Sequence, residues 1–221
     1  MALDFDAPDD FGGDSQFLSD PGKYHCLVQS VTQGATPKGT AIDGFCVTFE
    51  VLGGEVEGQK GKTINVTYFD PKITDSDKKV KLTKQQRSKF FLATNLLDPS
   101  RKGQSVRIEL EKAVDQQVVA RFEIDDYHSK DGKTYLRIGN AELDIWHIDD
   151  PNARTCPKNE QALALIPAAL RRKPEFFDLI YAKKQAAAAS SKPATAAAAA
   201  AGATAGAAAG TSAGRVNLDD L

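Results

Sequence analysis

Tyr135 and Arg137 stand two apart in "KTYLRIG", and in an extended chain that spacing puts an aromatic ring and a guanidinium on one face. Single-stranded nucleic acid asks for this combination, flat side chains on which bases stack and cations along the phosphates. The same alternation turns Arg121 outward beside Phe122 in "VVARFEI" and Arg107 outward beside Ile108 in "SVRIEL". It sets Phe69 on the polar side of "TINVTYF". Tyr127 and Trp146 are further stacking candidates, with Trp146 placed equally well for the core. Lys60, Lys62, Lys78, Lys79, Lys81, Lys84 and Arg87 are expected to gather on a loop over such a groove.

Catalytic chemistry finds less support. His25, His128 and His147 lie in unrelated segments, and no phosphate-cradling G-x-x-x-x-G-K-[ST] loop occurs. "DKK" at Asp77 to Lys79 imitates half of a metal-nuclease site, with Asp125, Asp126, Asp149 and Asp150 as further carboxylates. Two-metal hydrolysis needs such acids to converge, and nothing in their spacing makes them do so. Cys26, Cys46 and Cys156 are odd in number and have no C-x-x-C pair, so neither a disulfide framework nor a structural zinc site is expected. The reading is a non-enzymatic protein with no cofactor and no metal.

Charge is segregated although the formal net charge is only −2. Residues 1–20 hold six aspartates and no base, whereas residues 60–112 hold 13 Lys and Arg against 6 acids. A further run, residues 154–184, has 7 bases against 3 acids. A basic middle between acidic ends fits a polyanion partner.

The elements that must position these residues are mostly short strands. "KYHCLVQSV", "FCVTFEVL" and "TINVTYF" alternate apolar and polar residues; "LTKQQRSKFFLATNLL" follows as an amphipathic helix with Thr83 as its cap and Asp98-Pro99 as its end. "SVRIEL", "VVARFEI", "KTYLRIG" and "ELDIWHI" complete the sheet, with an Asp131-Gly132 hairpin turn between the second and third of these. One helix among short strands predicts a mainly β fold, a small closed or partly open barrel.

Five segments follow from this: a flexible acidic arm at 1–20, the barrel at 21–150, a helical extension packed on it at 151–185, a disordered alanine-rich linker at 186–216 and an acidic tip at 217–221. The start "MALDFDAPDD" has no basic or apolar leader and no stretch suits a membrane span, so a cytoplasmic protein is expected.

Basic outward strands, a low-complexity tether and the ending "NLDDL" resemble the single-stranded DNA-binding proteins of bacteria and their phages. "GKYHCLVQSV" through "FCVTFEVLGGEVEGQKGKTINVTYF" is similar to a phage-encoded family in that class. The resemblance implies an OB-fold that coats and protects single-stranded DNA in replication or recombination, in the host cytoplasm if phage-encoded. It also implies a tip, Asp219, Asp220 and Leu221, that recruits replication or recombination proteins. The tip has fewer acids than the bacterial pattern and lacks its closing proline and phenylalanine. RNA stays open beside DNA, because every base offers a stacking face. A monomer and a homo-oligomer both stay open. The competing readings are a protein-interaction barrel that binds no nucleic acid and a metal-dependent nuclease.

Overall fold

A computed structural model describes residues 16–101, 104–125, 135–139 and 143–181 of the chain. The chain divides into two units, Met1–Lys183 and Lys184–Leu221, and the whole of the second lies outside the described residues. With it lie the expected linker and tip.

The first unit is a mainly antiparallel sheet with a few helices. Strands β1 (Gly22–Ala35), β2 (Ala41–Gly54) and β3 (Thr63–Phe69) form a meander; helix α1 (Asp77–Ala93) follows, then β4 (Gln117–Ile124), β5 (Leu136–Ile138) and β6 (Ile145–His147). The order across the sheet is β3-β2-β1-β4-β5, with β6 also on β4. The alternation read in the sequence is the alternation of burial. Tyr24, Cys26 and Val28 of β1 face Phe45, Val47, Phe49 and Val51 of β2, joined by Val118, Ala120 and Phe122 of β4. Phe90 and Phe91 of α1 close the core from one end, and Phe90 lies 5.0 Å from the Tyr68 ring. Each such side chain contributes about 1.5–3 kcal/mol by leaving water.

Register shifts in β1 at His25/Cys26, Val28/Ser30 and Gln33/Ala35 bend its pairing with β2 and curl the sheet. The sheet does not close: among the described residues no ladder joins β3 to β5.

Three local expectations are corrected. Helix α1 starts at Asp77 under a Ser76 cap that accepts from the Lys79 N–H, and Thr83 is buried inside the helix. The lysine-rich stretch is good helix former, and Asp75 pairs with Lys79 across one turn, so the helix extends back past Thr83. It ends at Thr94, because Asn95 turns left-handed (φ 59°), before Asp98-Pro99 is reached. "SVRIEL" is not a strand; its last residue opens a 3₁₀ turn, Leu110–Ala113. Ile108 and Leu110 pack on the core without a partner strand, since β4 already occupies that edge of β1 over Gly22–Leu27.

The expected flexible arm also shortens. Leu18 is buried, its N–H donates to the Thr63 carbonyl at 2.8 Å, and Thr63 donates to Gln16 at 2.7 Å, so residues 16–20 belong to the folded unit. Residues 1–15 lie outside the described residues. Beyond β6 come helix α2 (Glu160–Ala164), a 3₁₀ turn at Ala168–Leu170 and helical residues 174–181. No helix among the described residues is long and apolar enough to cross a membrane.

Candidate nucleic-acid interface

Two outer faces of the sheet have different fates. Across β1, β4 and β6, His25, Val119 and Trp146 form one outward row, and the C-terminal extension covers it. Val119, Trp146, Ile148, Ala153 and Cys156 make a second apolar cluster, against which Leu163 and Ile166 pack. His25 is wholly buried there. Its Nδ1 accepts from the Asn159 N–H at 3.1 Å, which leaves Nε2 to donate to the Gln117 Oε1 at 2.8 Å. Gln117 in turn donates to the Ala162 carbonyl at 2.8 Å. Burial, helped by nearby Lys158, pushes the His25 pKa down to about 4 against the bond to Gln117. His147 forms a second tie: its Nδ1 accepts from the Asp149 N–H and its Nε2 lies 3.0 Å from the Leu170 carbonyl. Burial lowers its pKa too, against the opposing pull of Asp149.

The extension is fixed further by charge. Arg171 grips Asp149 through two nitrogens, and Asp150 accepts from the Tyr181 hydroxyl at 2.6 Å. Burial alone would raise the Asp149 pKa, but the bonds from Arg171 and the Arg172 N–H outweigh it and hold the carboxyl below its usual range. Two of the carboxylates set aside for nuclease chemistry are therefore bound to structural partners. Asp125 lies 3.8 Å from Arg137, Asp77 sits at the start of α1, and Asp126 and His128 lie outside the described residues. Among the described residues no group of three His, Cys, Asp or Glu converges as a metal site. The three cysteines are buried and free.

The other outer face, over β2 and β3 with the second half of β1, is partly open: Ser30, Asn65 and Phe69 are exposed and Thr32, Thr48 and Thr67 half-buried, while Cys46 is buried. Its rows read Ser30, Thr48 and Asn65, then Thr32, Cys46 and Thr67, then Gly44 and Phe69. Apart from Phe69 these are small, mostly polar side chains without a cation, and the adjoining row of the face, Leu27, Glu50 and Thr63, carries a carboxylate. Phe69 ends this face, 54% exposed, directly opposite Gly44. Gly44 has φ 144°, and a Cβ there would meet the Tyr68 carbonyl oxygen at 2.1 Å, so no side chain can screen the Phe69 ring from that side.

Around this face the expected cations fall into separate groups. Arg87 lies by the Phe69 end, bound to Asp70 and stacked over Phe45 at 5.6 Å and Phe91 at 5.9 Å. Arg107 lines with it a cavity of about 440 Å³ that also takes in Gln33, Glu109 and Glu111. Lys60 and Lys62 sit in the β2–β3 turn at the opposite end of β3, about 20 Å away at the rise of a seven-residue strand. They do not join Lys78, Lys79, Lys81 and Lys84, which are exposed along α1. The expectation of a single clustered loop is corrected, because those lysines fold into a helix.

On β4 and β5, Arg121 reaches Glu123 at 3.5 Å and Asp144 at 3.7 Å, while Tyr135 is 40% exposed. The guanidinium is exposed while Asp144 is buried and Glu123 half-buried, so Arg121 is held from beneath by acids that are largely out of water. Trp146 is corrected as a stacking candidate: it is buried, and the Lys23 ammonium lies 5.1 Å over its ring. Tyr127 lies outside the described residues, as do Asp219, Asp220 and Leu221.

Sequence reasoning missed the acids that hold Arg87, Arg121 and Arg137: Asp70 and Asp144 come from distant positions, Glu123 from two residues along β4, and Asp125 from the end of the strand paired with β5. It also missed Gly44 as the vacancy beside Phe69, although the strand pairing of two alternating segments could have placed them together. Tyr68 escaped notice as a polar core group: among the described residues its buried hydroxyl has no hydrogen-bond partner, a state that costs about 1–3 kcal/mol. No protein-family model matches the chain and no curated protein is detectably similar to it.

Proposed function

We propose that the protein is a non-enzymatic single-stranded DNA-binding protein that coats DNA during replication or recombination. What carries this reading is the β2–β3 face, which ends in the unscreened ring of Phe69. The strand order supports it. A three-strand meander, a helix, then a strand returning to β1 and another beyond it is compatible with the proposed OB-fold, with the sheet left open between β3 and β5. In such folds the face of the second and third strands binds oligonucleotides. The tip at 217–221 would recruit partner proteins through Asp219, Asp220, Leu221 and the terminal carboxylate while the sheet holds DNA.

Lys60, Lys62, Lys78, Lys84 and Arg107 make no ion pair with a described residue. Five such cations on phosphates give a logarithmic salt slope of about −3.5 for a single strand. Titration of the full chain into labelled oligo-dT at two salt concentrations is expected to show tight binding with that steepness, and weaker binding to duplex. Removal of residues 186–221 should leave this affinity equal or higher while ending partner recruitment. No binding at low salt would refute the reading and favour the protein-interaction alternative.

A further inference from the structure

The connection from β3 to α1, residues 70–76, carries the most exposed large apolar side chain among the described residues: Ile73 has its whole surface in water. Its backbone is nevertheless fixed from both sides. The Asp70 N–H donates to the Asp43 carbonyl at 2.8 Å, and the Lys72 ammonium lies 3.4 Å from the Asp43 carboxylate, so the connection turns back against the start of β2. On the other side the Lys72 N–H donates to Asp75 Oδ2 at 2.9 Å, the Asp75 N–H returns to the Lys72 carbonyl at 3.0 Å, and Asp75 holds the Lys79 ammonium of α1 at 2.7 Å. Ile73 therefore stands at the tip of a braced turn. An apolar group presented in this way binds a partner with little ordering cost.

Its surroundings indicate the partner. Gly44, the residue after Asp43, lies directly opposite Phe69, whose ring ends the β2–β3 face. Four extended residues span at most about 14 Å, so Ile73 lies within that distance of Phe69. The acids of the connection are occupied, Asp70 by Arg87 and Asp75 by Lys79. Asp77 remains, beside Lys78 at the start of α1. The pair between Lys72 and Asp43 is largely exposed on both partners, which makes it weak enough for a phosphate to displace. Apolar tip and available cation together suit a ligand that alternates bases with phosphates, and isoleucine is among the side chains that pack between bases.

We infer that Ile73 is a second base-contacting residue. The strand whose base stacks on Phe69 runs on over the β3–α1 connection, where Ile73 packs against a further base and Lys72 exchanges Asp43 for a phosphate. The inference rests on the nucleic-acid reading above and adds to it the path of the strand at the Phe69 end of the sheet.

The test titrates the full chain, Ile73→Ser and Ile73→Phe into two oligomers of about 12 nucleotides, oligo-dT and a sugar-phosphate oligomer without bases, at low salt by fluorescence anisotropy. Because the side chain is wholly exposed, both variants are expected to melt as wild type does. Ile73→Ser is expected to weaken oligo-dT binding about three- to tenfold, as partial burial of the side chain implies, and to leave the base-free oligomer unaffected. Ile73→Phe, which keeps an apolar contact and offers a flat ring, is expected to match or exceed wild type on oligo-dT. Undiminished oligo-dT affinity in Ile73→Ser overturns the inference and assigns the tip to a protein partner. An equal loss on both oligomers overturns it as well, as does Ile73→Phe binding no better than Ile73→Ser. Failure of wild type to bind either oligomer strikes the functional reading itself and is thereby distinguished.

Discussion

The buried histidine that ties the extension to the sheet sets a measurable pH dependence of stability. His25 is neutral in the folded chain until about pH 4, whereas an unfolded histidine takes its proton near 6.5. Between those values the unfolded state binds the extra proton, so stability is complete above about 6.5, falls as pH drops through the window and levels off near 4. Each pH unit removes about 1.4 kcal/mol, hence about 2 kcal/mol by pH 5 and about 3 kcal/mol at the bottom of the window. Lys158 is the charged group acting on the ring; its other neighbours, Gln117 and Asn159, are uncharged. Titration of Asp149 falls below the window, since its carboxyl is held under the usual 3.8. His147 adds loss of the same sign, so the comparison must be with His25→Gln. Urea unfolding of both proteins from pH 7 to 4 is the assay. The variant should start about 1–3 kcal/mol less stable, having lost a buried hydrogen bond, and the gap should shrink steadily as pH falls. Parallel curves would mean that the imidazole is not held neutral beneath the extension.

Two further outcomes concern the aromatic residues. Trp146→Ala should cost about 3–5 kcal/mol in chemical denaturation, because the ring fills the second apolar cluster. A loss of DNA affinity with stability intact would instead return it to the binding surface. Phe69→Ala should leave the melting temperature unchanged and weaken oligo-dT binding by about 1–3 kcal/mol. Undiminished affinity in that titration would remove Phe69 from the site.

Burial in β1 to β4 was legible because period-two alternation sorts side chains by face, and both Phe45 to Val51 and Val118 to Phe122 point as that parity requires. Parity does not fix exposure. His25 and Trp146 do lie on the outer face, yet they are buried, because a segment from far along the chain covers them. The same limit explains the cations: outward-facing Arg121 and Arg137 are where alternation sends them, and Asp125 meets Arg137 across the predicted strand pair, but Asp144 reaches Arg121 through tertiary folding that no local pattern encodes. In "SVRIEL" alternation was real and misleading, since Ile108 and Leu110 satisfy the core without a ladder. Helix α1 was placed too late because a polar, lysine-rich stretch carries no amphipathic signal, only capping and propensity.

The cover over Val119 and Trp146 fixes the smallest piece of this protein that can be made as a reagent. A fragment ended at residue 150, just after the strands stop, would present a greasy exterior to water and leave two imidazoles each short of one partner, Asn159 for His25 and Leu170 for His147. Expression boundaries for biophysical work therefore belong beyond Tyr181, whose hydroxyl bond to Asp150 is the last such fastening among the described residues.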